Sequence, residues 1–270
     1  DWLMSKTKAN DVINSGVYSL VPNFPDVFDI QNENHEEIIF GIQYSNLADF
    51  GSGHPAIFNH LGSNHYALVA FSVATIDTVS NIWTNRDFNE ERYSFTVYDE
   101  YVHGDGTFVD ISSTGRPNPC IGKYRDANAF AGALDHANDY QFMRFAEILL
   151  IFAEAENELN GPTAEALNAF NQIRRRANGV SIDSSSEFDI DPTISQELFR
   201  DAILEERSKE FVAEGKRWYD LIRTDRAIEF LGNNVNNGAA ITREKYLFPI
   251  PQSEIDNNDE LTPADQNPGY

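Results

Sequence analysis

The strongest periodicity in the chain is helical and lies late in the sequence. Residues 193–226 read TISQELFRDAILEERSKEFVAEGKRWYDLIRTDR. Leu198, Phe199, Ala202, Ile203 and Phe211 recur near the helical repeat, so one face is apolar. Glu205 and Lys209 stand four apart on the other face in the favourable order, worth about 0.3–0.5 kcal/mol. Thr193 and Gln196 have capping-box spacing, and Pro192 blocks continuation upstream. Gly215 interrupts the pattern as a C-cap or a corner. A second helix follows, with Trp218, Leu221 and Ile222 on one side, so the pattern predicts a helical hairpin.

Residues 139–178 carry the other long helical signal. Phe142, Phe145, Leu149, Phe152 and Ala153 form a stripe that predicts a helix of about five or six turns. Asn160, Gly161 and Pro162 end it. Thr163 is placed to cap a second helix with Leu167, Phe170, Ile173 and Ala177 inward, closed by Asn178 and Gly179. Near the start, residues 6–15 predict a short helix stopped by Gly16. Strand signals are weaker: HEEIIFGIQY at 35–44 reads as a strand, and Phe95 and Val97 alternate with polar neighbours over 94–98. Residues 181–191 are an acidic, serine-rich linker. Residues 45–125 show no steady period. Long irregular stretches are usually functional or disordered, and this one is too aromatic for disorder. The expected fold is mainly α, with helix pairs, long irregular loops, a few short strands and a helical core over 139–231.

Composition sharpens the picture. A chain of 270 residues, 41% hydrophobic, makes one large domain or two small ones with a true core. Acidic residues outnumber basic ones 43 to 20, a net charge of −23, which argues against nucleic acid as a partner. Cys120 is the single cysteine, so neither an intrachain disulfide nor a thiolate cluster can form. Its place after Pro117 and Pro119 predicts a loop with an inert or partly exposed thiol. No apolar run reaches the ~18–20 residues that span a bilayer. No signal peptide or lipid-bearing cysteine stands near the first residue, as expected of a mature or trimmed chain.

Few motifs carry chemistry. GSGHPA at Gly51 has the glycine spacing of a dinucleotide loop but no βαβ context. HEEII at His35 lacks the second histidine of a zinc-protease motif. Asp189 and Asp191 in FDID fall short of a calcium loop, so a solvated acidic loop is expected. No cofactor is assigned; a structural calcium built from distant residues stays open. Arg174, Arg175 and Arg176 read as surface ion pairing near a helix C-terminus. Arg217, Asp220 and Arg223 read as a structural ion network beside Trp218. No nucleophile–base pair points to turnover, so the chain is read as a non-enzyme.

A sugar site needs flat apolar faces beside amide, carboxylate and guanidinium groups. Residues 45–101 supply both. Trp83, Tyr66 and Phe58 are the candidate stacking residues, with Trp83 foremost. Asn59, Asn64, Asn85 and Arg86 are the candidate polar partners.

The string ILEERSKEFVAEGKRWYDLIR resembles the signature of the SusD/RagB family. The resemblance rests on Glu206, Arg207, Glu210, Phe211, Glu214, Gly215, Arg217, Trp218, Tyr219, Asp220, Leu221 and Arg223. YQFMRFAEILLIFAEAENEL, ALNAFNQIRRRANG and the closing YLFPIP…QNPGY are similar to the family as well, with Pro263, Ala264 and Asp265 as a local departure in the tail. The opening NDVINSGVYSLVPNFPDVF resembles the middle of such proteins. The resemblance implies a SusD-like helical fold with helix pairs like tetratricopeptide repeats. Residues 1–270 would be one domain, the C-terminal portion of a fold about twice as long, with 45–125 as its loop-rich ligand-binding subregion. It implies a surface lipoprotein that captures a nutrient, most often an oligosaccharide or polysaccharide. The partner would be a SusC-like TonB-dependent transporter in the outer membrane, and contact with the membrane would be only through a lipid anchor absent from this chain. The rival expectation is a helical-repeat protein–protein interaction module whose loops serve structure alone.

Overall fold

The computed structural model describes residues 1–47, 49–53, 58, 90–102, 106–114, 119–125, 136–231 and 241–270. Its contacts fall into two compact units, Asp1–Lys216 and Arg217–Tyr270. No helix among the described residues is long and apolar enough to cross a membrane.

The first unit is built on helices. Helix α1 (Trp2–Ser15) begins earlier than the sequence pattern predicts, because the Asp1 carboxylate accepts from Met4 N at 3.1 Å. Gly16 ends it in the left-handed region, as expected. Strand β1 (Ile38–Ile42) pairs antiparallel with a strand over Tyr140–Arg144, β6 in chain order. That second strand corrects the helical reading of residues 139–144. Phe142 lies half-exposed on the ribbon against Phe40, ring centroids 5.5 Å apart, rather than on a helix stripe.

Helix α3 (Phe145–Asn160) follows directly, about four and a half turns rather than five or six. Phe145, Leu149, Phe152 and Ala153 are all buried. Helix α4 (Ala164–Ala177) is capped by the Thr163 hydroxyl and turns Leu167, Phe170, Ile173 and Ala177 inward, as the spacing predicts. Helix α5 (Gln196–Glu210) packs on both, with Phe199 edge-on to Phe170 at 5.2 Å. Its cap is Ser195, not Thr193. The Thr193 hydroxyl instead bonds Asp191, and the Gln196 amide reaches across to Asn157 O. Phe199, Ile203 and Phe211 are buried as expected, but Leu198 points outward and is exposed.

Between these helices lie small sheets. A short helix α2 (Glu91–Thr96) occupies most of the stretch expected as a strand, which shrinks to β2 (Val97–Tyr98) paired with β5 (Cys120–Ile121). Cys120 is therefore fully buried on a strand rather than in an open loop. Strands β3 (Glu100–Val102) and β4 (Phe108–Asp110) form a hairpin.

The second unit holds helices α6 (Arg217–Arg223), α7 (Ala227–Leu231) and α8 (Gln252–Asn257). Trp218 packs edge-on to Tyr246 and against Phe248. Arg223 pairs with Asp220 at 2.8 Å, and the Arg217 guanidinium covers Phe230. The closing motif has a physical reason. The Gln266 amide exchanges two hydrogen bonds with the backbone of Ile250, at 2.8 and 2.9 Å, and Asn267 donates to Phe248 O. The intervening Pro263–Asp265 is a single 3-10 turn closed by a Thr262–Asp265 capping box.

Candidate functional site

Glu206, Glu210 and Glu214 recur every fourth residue through α5 and the corner after it, so they share a face. That face turns inward onto charge. Arg92 donates to Glu206 at 2.6 Å and to Glu210 at 3.0 Å. Arg144 donates to Glu37 at 2.6 Å, to Glu210 at 3.0 Å, and through two nitrogens to Glu214 at 2.9 Å. Arg176 bonds Glu37 and reaches Glu210 at 2.6 Å. Lys123 Nζ donates to Glu214 and to the Glu210 carbonyl, both at 2.6 Å. Arg92, Lys123, Arg144 and Arg176 thus face Glu37, Glu206, Glu210 and Glu214, and none of the eight is more than 3% exposed. The charges balance, which is the condition for burying them at all.

This arrangement corrects the arginine run. Arg174 is half-exposed, as surface pairing requires. Arg175 is buried and chelates the Asp189 carboxylate through two nitrogens, so Asp189 is a structural acceptor. Arg176 lies at the centre of the buried network. Burial opposes the Glu210 charge, yet Arg176, Arg144, Arg92 and Lys123 outweigh it and hold the carboxyl down at about 2. Burial draws the Lys123 ammonium down to about 8, more than Glu214 and Glu210 raise it. Burial likewise resists the Arg144 charge, but Glu214, Glu210 and Glu37 prevail and raise it well above the usual arginine value. A general acid or base works best with a pKa near the operating pH. Carboxylates locked as anions by guanidinium groups suit a rigid scaffold instead.

The scaffold fixes the corner at residues 211–215. Ala213 sits at φ 63 and Gly215 at φ 73, both left-handed. Tyr124 Oη donates to Ala213 O at 3.2 Å and Tyr140 Oη to Glu214 O at 2.9 Å, so two carbonyls of the corner are held from outside. Phe58 stacks on Tyr124 with centroids 5.5 Å apart and packs against the cluster of Tyr93, Val97, Ile121 and Val212. Of the candidate sugar-site residues, Phe58 alone lies among the described residues, where it is partly buried and tied to the corner. Tyr66, Trp83, Asn59, Asn64, Asn85 and Arg86 lie outside the described residues.

One feature of the described region had no marker in the sequence. Arg125 lies with its guanidinium 4.6 Å from the Tyr98 ring centroid and 5.7 Å from that of Phe95. It lines two cavities. One, of about 250 Å³, is walled by Pro25, Asp26, Phe28, Asp29, Phe95 and Gly122. The other, of about 330 Å³, is walled by Tyr93, Ser94, Val97, Tyr98, Asp99 and Glu100. Burial lowers the Arg125 pKa from its ordinary value, and Tyr98 offsets part of that.

Residues 82–270 match the model of the SusD family. The chain belongs to the SusD family. SusD-like protein P2 from Formosa agariphila is 30% identical over all of this chain, which covers 56% of that protein. The starch-binding protein SusD from Bacteroides thetaiotaomicron is 28% identical over 56% of the chain and 26% of its own length. The fold matches surface glycan-binding protein A from Bacteroides fluxus with a TM-score of 0.75 and 26% identity, over 100% of this chain and 59% of that one. It also matches the Bacteroides thetaiotaomicron surface glycan-binding protein A in complex with laminarihexaose, with a TM-score of 0.71 and 22% identity, over 98% of this chain and 59% of that one. This SusD-family chain spans little more than half the length of P2 and of those two solved chains. Its signature residues Glu206, Glu210 and Glu214 are the ones that build the buried charge network.

Proposed function

We propose that this SusD-family chain belongs to a non-catalytic cell-surface protein that captures an oligosaccharide or polysaccharide. The captured glycan passes to a SusC-like TonB-dependent transporter in the outer membrane, with a lipid anchor as the protein's tie to that membrane. The observation that carries this reading is the family match over residues 82–270. The names of the relatives, among them a starch-binding protein and surface glycan-binding proteins, support the ligand class. The chemistry agrees: Glu37, Glu206, Glu210 and Glu214 of the buried network are committed to arginine and lysine, and the aromatic residues that would hold sugar rings fall within residues 45–101 of the sequence.

Affinity electrophoresis in native gels cast with soluble polysaccharides tests the reading. At least one neutral or charged polysaccharide should retard the protein, and its migration should recover when matching free oligosaccharide is added. Unaltered migration across laminarin, starch, xylan, pectin and host mucin glycans would overturn it.

A further inference from the structure

The arginines of the buried network each meet carboxylates; among the described residues Arg125 meets none. Its Nη2 donates to Phe95 O at 3.1 Å. Its Nε–H is buried with no hydrogen-bond partner, and among the described residues no carboxylate pairs with the guanidinium. A buried donor left unsatisfied is costly, and one attached to a cation more so. The geometry supplies what would satisfy it: two cavities that both open onto this side chain.

The walls identify the ligand class. Tyr98 and Phe95 give flat apolar faces, and the guanidinium gives donors. Asp26 and Asp29 line one cavity, and Asp99 and Glu100 the other. Four carboxylates around one guanidinium repel a uronate or a sulfate ester. A neutral hydroxyl suffers no such penalty. It accepts from an N–H and donates to a carboxylate at once. The larger cavity, at about 330 Å³, is near the lower bound of small-molecule sites, the scale of a single sugar ring rather than a length of polymer.

We propose that Arg125, with the cavities on either side of it, forms a subsite for one neutral sugar residue of the captured glycan. This rests on the glycan-capture reading above and adds a place and a charge class to it. Ser94 is exposed on α2 and lines the larger cavity, so Ser94→Trp fills that space while keeping Arg125 in the chain. Arg125→Gln removes the positive charge and the unpartnered Nε–H, leaving a shorter amide.

The experiment begins with a glycan array holding neutral, uronate and sulfated arms. Isothermal titration calorimetry then follows the tightest binder with wild type, Arg125→Gln and Ser94→Trp, each checked for fold by circular dichroism. The expected result is a neutral binder whose affinity scarcely changes between low and high salt. Each folded variant should weaken it about ten- to hundred-fold, the scale of lost hydrogen bonds to a charged group. Binders confined to the uronate or sulfated arms overturn the charge class. A neutral binder that a folded Ser94→Trp or Arg125→Gln leaves unchanged removes the subsite while glycan capture stands. An array with no binder at all removes both.

Discussion

Glu210→Gln is the sharpest perturbation of the charge network. The substitution keeps the side-chain volume but removes the charge that Arg92, Arg144 and Arg176 share. Its cost follows from two directions. The Glu210 carboxyl is held at about 2 in the folded chain against an ordinary 4.5, a differential of about 3 kcal/mol at 1.36 kcal/mol per pH unit. Removing one member of a buried ion pair generally costs about 3–5 kcal/mol, because the partner charges stay buried. The two figures agree, so the variant should lose about 3–5 kcal/mol at pH 7. That is a large share of the ~5–15 kcal/mol by which domains are stable. Urea unfolding followed by circular dichroism measures it.

The pH dependence gives the sign. A carboxylate whose folded pKa is depressed contributes its full stability above the unfolded value near 4.5. It loses that contribution as pH falls towards about 2. The Gln variant has no such contribution to lose. Its deficit relative to wild type should therefore shrink between pH 5 and pH 2. A deficit below about 1 kcal/mol at pH 7, on the scale of a surface pair, would refute the reasoning. So would a deficit that stays constant down to pH 2.

Two further substitutions test the local structure. Ser195→Ala should cost about 1 kcal/mol as the loss of the α5 cap, with Thr193→Ala costing less; the opposite order in urea midpoints would return the cap to Thr193. Gly122→Ala places a methyl where Phe95 O and the Arg125 guanidinium already stand, so it should lower stability by about 1–3 kcal/mol in thermal melts, and an unshifted melting temperature would show that this turn yields freely.

Helices α4 and α5 were legible because their signals are local. Thr163 caps α4 and an apolar face repeats within each, and both features act within a few residues. The ribbon strand at 140–144 was not. Phe142, Phe145 and Leu149 fit a helical period, and what decides for a strand is pairing with Ile38–Ile42, about a hundred residues upstream. Arg176 reads as a surface arginine for the same reason. Its partner Glu37 is 139 positions away, and nothing beside it in the sequence marks it as buried. The spacing of Glu206, Glu210 and Glu214 was in view as a signature, but only the fold supplies the four cations that make it a core. Arg125 is a single arginine after Lys123 and Tyr124, and a cavity is a three-dimensional property with no local marker. Phe58, a candidate stacking residue in the sequence, also stacks on Tyr124, a contact with no local marker.

The central claim is that the protein holds a glycan without cutting it. The most direct measurement incubates the protein overnight with the polysaccharide that retards it most, then follows reducing ends and chain length by chromatography. Saturable binding with an unchanged length distribution is the predicted result. New reducing ends, rising with protein concentration, would contradict it.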